Sequence, residues 1–265
     1  AALFAASDEV SRAEWRAYVG ALALERSLPG IQGTGFTQMI PASRLAEHVA
    51  QVRAEGFPGY GVHPPGERDP YSSIIYLEPF ADRNLRAFGY DMYSDPVRRE
   101  AMERARDTGM PALSGRVTLV QEYGSEVQAG FLIYLPIYAG GTQPDSVDAR
   151  RATLLGFVYS PFRAHDIMRS IFDGRLDDAD IELFDGDPSA ETLLFASTQR
   201  SANARFVIDH PVDIGGRRWL ARFSSTPAFE RDQASAEPGL ILFGGSTLSL
   251  MLFALLNINA HHRRR

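Results

Sequence analysis

Apolar and polar positions alternate along this chain in two rhythms, one helical and one strand-like. Between residues 7 and 28, Trp15, Val19, Leu22 and Arg26 fall three or four positions apart, and so do Val10, Ala13, Ala17 and Ala21. The spacing predicts a helix over 7–28, capped by Ser7 or Asp8 and stopped by Pro29-Gly30. Its stripe reads either as packing on its own domain or as a dimer seam that transmits movement. A second helix is expected over 42–55, with Leu45, Val49 and Val52 on one face. A third starts at Ser94-Asp95-Pro96, turns Val97, Ala101, Met102 and Ala105 inward, pairs Glu100 with Arg104 outside, and ends at Thr108-Gly109. A short helical turn is expected over 84–89, and a fourth helix from Ser160-Pro161 to Phe172. Strand-like runs cover 74–77, 116–122, 130–138 and 154–160, with loops over 57–70 and 140–151. After Asp173-Gly174 the runs shorten to 181–184, 193–196, 206–208, 212–214 and 219–223, which predicts a separate small antiparallel sheet. A boundary therefore falls near Phe172, dividing a larger module over 29–172 from a smaller one over 173–236, and the fold class is α+β.

The C-terminal pattern is different. No charged residue occurs from Pro238 to Ala260, and His261, His262, Arg263, Arg264 and Arg265 follow at once. At about 1.5 Å per residue such a run spans a hydrocarbon core of about 30 Å, and a basic cluster marks its cytoplasmic side. The alternative is a buried core hairpin with a basic tail. On the membrane reading, 238–260 is a transmembrane helix and residues 1–237 are periplasmic or extracellular, at a cell inner membrane. The apolar residues 1–6 then read as the end of a preceding membrane helix.

Composition narrows the function classes. A net charge of -6 argues against a nucleic-acid partner, which would call for a basic surface. The absence of cysteine excludes disulfides, thiolate metal sites and thiol nucleophiles. There is no G-x-S-x-G elbow, H-E-x-x-H motif or phosphate loop. His48, His63, His165 and His210 are scattered, and the pairs Asp177-Asp178 and Asp185/Asp187 sit in turn sequences. No catalytic residue, metal ligand or cofactor is expected.

What does stand out is a concentration of aromatic residues on the strands between Ile74 and Tyr159: Tyr76, Tyr90, Tyr93, Phe131, Tyr134, Tyr138, Phe157 and Tyr159. Small-molecule pockets are mostly apolar with a few polar anchors. Asp91 lies within Phe88-Gly89-Tyr90-Asp91-Met92-Tyr93. It reads either as a ligand anchor or as a turn or helix-capping aspartate.

The run YSSIIYLEPFADRNLRAFGYDMYSDPVRREAMERARDTGMPALSGRVTLVQE (71–122), then GFLIYLPIY (130–138), PGIQGTGF (29–36) and TLLGFVYSPF (153–162), resembles the CHASE domain over about 29–172. Such domains form the outside segment of bacterial receptor histidine kinases and diguanylate cyclases, and the hormone-binding part of plant cytokinin receptors. The resemblance implies a long N-terminal helix over 1–28 and two PAS-like modules, the distal one holding the ligand, followed by the membrane helix. It implies that Asp91 takes the place of the aspartate that contacts adenine in the plant receptors. Leu113 and Leu135 match ligand-contacting positions, and Gln121 stands near the place of a hormone-binding threonine, a departure that argues against cytokinin itself. With Tyr76, Tyr90, Tyr134 and Gly156, these make the expected ligand set.

The expected function is an extracytoplasmic sensor that binds a small organic molecule, adenine-like among the candidates. It would form a homodimer through the N-terminal helix and signal to a cytoplasmic kinase or cyclase. The alternatives are a membrane-tethered hydrolase using turn carboxylates and a ligand-free dimerisation domain.

Overall fold

The computed structural model describes residues 3–4, 10–24, 30–124, 127–172, 179–197, 203–233, 242–243, 245–249 and 251. The first helix, α1, runs Arg12–Leu22. The Ser11 hydroxyl accepts the Glu14 amide, and the Glu14 carboxylate accepts the Ser11 amide and hydroxyl, both at 2.8 Å. Ala23 ends the helix in the left-handed conformation, φ 45 and ψ 41. The long helix expected over 7–28 is thereby corrected. Ser11-x-x-Glu14 is a reciprocal capping box that satisfies two free amides, where Ser7 or Asp8 offers one. Residues 5–9 and 25–28 lie outside the described residues.

The architecture is mixed α/β with two antiparallel sheets. β1 (Thr34–Ile40) leads through a 3-10 turn (Ala42–Arg44) into α2 (Leu45–Ala54). β2 (Tyr71–Glu78) follows, then 3-10 turns at Asp82–Ala87 and Met92–Ser94, and α3 (Pro96–Thr108). Next come β3 (Ala112–Leu113), β4 (Val117–Thr118), β5 (Ala129–Tyr138), α4 (Val147–Thr153), β6 (Leu154–Arg163) and α5 (Ala164–Phe172). The first sheet has the order β2-β1-β6-β5-β3, with β4 also on β5. The second is built from β7 (Ala179–Phe184), β8 (Leu193–Ala196), β9 (Val207–Ile214) and β10 (Arg217–Ser225) in the order β8-β7-β10-β9, and α6 (Pro227–Gln233) follows.

Side chains alternate across a strand, so the first sheet has two faces. One packs Ile74, Leu77, Leu132, Tyr134, Phe157 and Tyr159 against Ala101, Met102 and Ala105 of α3. The other packs Phe36, Ile75 and Ile137 against Trp15 and Val19 of α1 and Val52 of α2. A third cluster joins the sheets: Leu113, Phe131 and Phe162 meet Ile181, Leu183, Phe195 and Trp219.

Three further expectations change. Pro161 does not open a helix. It lies in β6 opposite Leu132 and its carbonyl accepts the Gln32 amide at 2.9 Å. The next residue, Phe162, stacks on Phe131 with centroids 5.2 Å apart, which extends the strand to Arg163. The expected loop over 140–151 holds the start of α4, which Ser146 caps by accepting the Ala149 amide. The transmembrane helix over 238–260 is also corrected: among the described residues no helix is long and apolar enough to cross a membrane. Gly245, Ser246, Thr247 and Ser249 dilute the hydropathy there, and Thr247 and Ser249 turn their hydroxyls back to Phe243 O and Gly245 O at 2.6 and 2.9 Å. The other residues of 238–260 lie outside the described residues.

Candidate functional site

Beneath α3 a row of hydroxyl groups crosses the first sheet. Tyr134 of β5 and Tyr159 of β6 are direct cross-strand partners, and Thr37 of β1 pairs with Phe157, two residues from Tyr159 on the same face. All three side chains are buried, and none of the three hydroxyls has a hydrogen-bond partner. Gly35 makes room for the row: a Cβ there would stand 2.5 Å from the Tyr159 ring. Burial pushes the Tyr134 and Tyr159 phenols well above their ordinary range, so both keep their protons. Each is a donor and acceptor in a setting where an unmade hydrogen bond is costly.

The start of α3 supplies charge beside this row. Asp95 caps the helix, its Oδ1 accepting the Val97 and Arg98 amides at 2.9 and 3.0 Å. Its Oδ2 accepts from Arg98 Nη1 at 2.5 Å, and Arg98 Nη2 donates to Thr118 O at 2.8 Å. The Arg98 guanidinium lies over the Tyr90 ring, 5.4 Å from its centroid, with the Tyr90 hydroxyl 3.5 Å from Nη1. The Arg98 charge opposes, without overcoming, the rise that burial imposes on both tyrosines.

Asp91 is fully buried at the turn that leads into α3. Its Oδ1 accepts the Ser72 and Tyr93 amides at 2.8 and 3.0 Å, and its Oδ2 accepts from Arg68 Nε at 2.8 Å. The carboxylate thus ties β2, the Met92–Ser94 turn and the 57–70 loop together. Tyr93 beside it is pushed up to about 12, mainly by burial.

The expected ligand set divides between the faces. Tyr134 belongs to the hydroxyl row, Tyr90 lies under the Arg98 guanidinium at the start of α3, and Asp91 holds the turn that leads into that helix. Tyr76 lies on the opposite face, stacked on Trp15 at 5.9 Å, with its hydroxyl bonded to Val10 O at 2.6 Å. Leu135 pairs with Val158, is partly buried, and by alternation also faces away from Tyr134. Leu113 packs in the cluster between the sheets, and Gln121 is buried just after β4. Gly156 lets β6 approach β1: a Cβ there would lie 2.1 Å from Thr37 O. Residue reading missed Thr37, Asp95 and Arg98 as members of the site. The Asp95-x-x-Arg98 spacing at a helix start is the available signal for the last two.

On the opposite face, α1 and α2 flank a groove of about 910 Å³ lined by Val10, Arg12, Phe36, Gln51, Ile75 and Leu154, among others. There His48 Nε2 meets Tyr60 Oη at 2.8 Å, and Tyr60 Oη meets Ser73 Oγ at 2.6 Å. Among the described residues no group of three or more His, Asp or Glu side chains is placed to hold a metal ion.

With this geometry in view, comparison with known proteins identifies the class. The CHASE domain family matches residues 8–195, well over half of the chain, and the chain belongs to that family. The match extends past the 29–172 of the sequence reading to include α1, β7 and most of β8. The chain is also similar to Hybrid signal transduction histidine kinase A of Dictyostelium discoideum, 22% identical over 228 residues that cover 75% of this chain and 10% of that protein. It therefore spans about a tenth of the length of that relative. Both findings support a sensor domain of a signalling receptor.

Proposed function

We propose that this CHASE domain binds a small organic molecule between the first sheet and α3, and passes its occupancy to an output domain of the histidine kinase or diguanylate cyclase type in the parent protein. The observation that carries this reading is the row of three buried, unpartnered hydroxyls at Thr37, Tyr134 and Tyr159. Buried polar groups are nearly always hydrogen-bonded, and a bound molecule with a polar edge would satisfy these. They lie in the packed core beside Met92, Met102, Leu119 and Phe157, so a molecule admitted there by movement of α3 would be shielded from water. Tyr90 and Arg98 stand at the edge of the site. Asp91 holds the turn beside it, and a direct bond to the ligand would compete with Arg68 for the same carboxylate.

A homodimer through the N-terminal helix belongs to the same proposal. Tyr18 and Leu22, one turn apart on α1, are exposed. Placement outside the cytoplasm is likewise proposed, on family membership. Titration calorimetry with adenine, then with other uncharged heteroaromatic compounds, tests the ligand reading. Tyr134→Phe with Tyr159→Phe is expected to weaken the binding of any hit at least about tenfold, the loss of one or two hydrogen bonds. Equal affinity in the double variant removes this face as the site.

A further inference from the structure

The edge of the first sheet is gripped from two sides. From α3, Arg104 Nη2 donates to Leu113 O at 2.7 Å and Arg98 Nη2 donates to Thr118 O at 2.8 Å. From the second sheet, Gly215 O in the β9–β10 turn accepts the Leu113 amide at 2.9 Å. Asp185 Oδ2, just past β7, accepts the Arg116 amide at 2.8 Å, and Leu193 O accepts from Arg116 Nε at 2.9 Å. Leu113 thus gives its carbonyl to the helix over the candidate site and its amide to the other sheet.

A ring of ion pairs closes around this strip. Asp185 is held on both oxygens by Arg217 of β10, at 2.6 and 2.9 Å. Arg217 also reaches Glu100 of α3 at 3.6 Å, and Glu100 pairs with Arg104 at 3.0 Å. Bidentate guanidinium–carboxylate pairs fix orientation as well as distance. The packing leaves little slack. A Cβ on Gly115 would stand 2.9 Å from Val97 of α3, 3.0 Å from Asp185 Oδ2 and 3.3 Å from Arg217 Cζ, so helix and second sheet meet there with no side chain between them. A Cβ on Gly216 would lie 2.8 Å from the Arg104 side chain.

We infer that the strip 113–118 is the coupling element of this sensor, clamped between α3 and the Asp185–Arg217 pair, and that it transmits the state of the α3 site to the β9–β10 hairpin. The inference rests on the ligand reading above. It adds the route: a ligand that shifts Arg98 displaces Thr118, the helix that carries Arg98 also holds Leu113, and both are tied to the second sheet. A ligand biases such an element only by favouring one of its arrangements.

Hydrogen exchange of the whole chain, followed by mass spectrometry without any ligand, tests the coupling separately from binding. Arg217→Ala is expected to speed exchange about tenfold or more at Leu113 and Arg116 and also in α3 from Arg99 to Met102, across the sheet boundary. Arg222→Ala, on the same strand but paired with Asp209 of β9, serves as control and should leave α3 at wild-type rates. Asp185→Asn, which keeps the side chain's size, carries the same comparison should Arg217→Ala not fold. Faster exchange confined to β7, β9 and β10, with α3 unchanged in both variants, overturns the inference. Failure of every compound to bind would instead count against the ligand reading and leave this result standing.

Discussion

Tyr134 and Tyr159 stand side by side across β5 and β6, ring centroids 6.4 Å apart, and neither hydroxyl meets a partner. An unsatisfied buried hydroxyl costs about 1–3 kcal/mol, so its removal should not destabilise the fold. Tyr134→Phe and Tyr159→Phe are each expected to leave stability unchanged or to raise it by about 1 kcal/mol in urea denaturation. A loss of more than about 2 kcal/mol would show that the hydroxyls are engaged within the protein itself.

Asp91 behaves in the opposite way. Its carboxylate satisfies two amides and the Arg68 guanidinium from a fully buried position. Asp91→Ala leaves Arg68 Nε and the Ser72 amide without their acceptor, while the Tyr93 amide keeps Ser72 Oγ at 3.1 Å, and a loss of about 3 kcal/mol is expected. The denaturation midpoint of the purified variant checks this. A wild-type midpoint would mean that the turn before α3 does not depend on Asp91.

His48 gives the stability a pH dependence. Burial pulls it down from 6.5 to about 4, so the folded protein keeps the ring neutral where the unfolded chain protonates it. The sign follows: the unfolded state binds more protons between about 6.5 and about 4, so stability is complete above that window and falls as pH drops through it. His48→Gln should flatten this part of the profile relative to wild type, as read from thermal melts at successive pH values. Parallel profiles in the two proteins would exclude His48 as the source.

The exposed pair on α1 predicts assembly. Leu22→Asp, at a position 42% exposed, should shift the chain from dimer to monomer in sedimentation velocity without lowering its melting temperature. A wild-type chain that sediments as a monomer at high concentration would remove the helix from the proposal.

Much of the first sheet is legible because its strands are long apolar runs with turn residues between them. β5 and α3 follow the sequence pattern closely. Expectation departs from structure where a local signal competes with tertiary packing. Ser160-Pro161 looks like a helix start, yet Pro161 falls in β6 because Phe162 stacks on Phe131. The runs 206–208 and 212–214 are one strand, since Pro211 lies on the edge strand β9, where a missing amide can face solvent. The aromatic strands were visible as a group, but not their faces. Tyr76 and Tyr134 look alike in sequence and end on opposite sides of the sheet, because the face depends on register. An extra residue in β2, Ile75, opposite the step from Phe36 to Thr37, further breaks the alternation that would place Ile74 and Tyr76.

A small molecule held on the α3 face of the first sheet would perturb the tyrosine rings of that face and spare those of the other. Selective ring labelling of tyrosine, with resonances assigned through the Phe variants and followed by NMR as adenine or another uncharged heteroaromatic compound is added, tests it most directly. Saturable shifts are expected at Tyr134 and Tyr159 while Tyr76, on the face packed against α1, stays in place. A compound that binds and moves Tyr76, leaving Tyr134 and Tyr159 untouched, would contradict it.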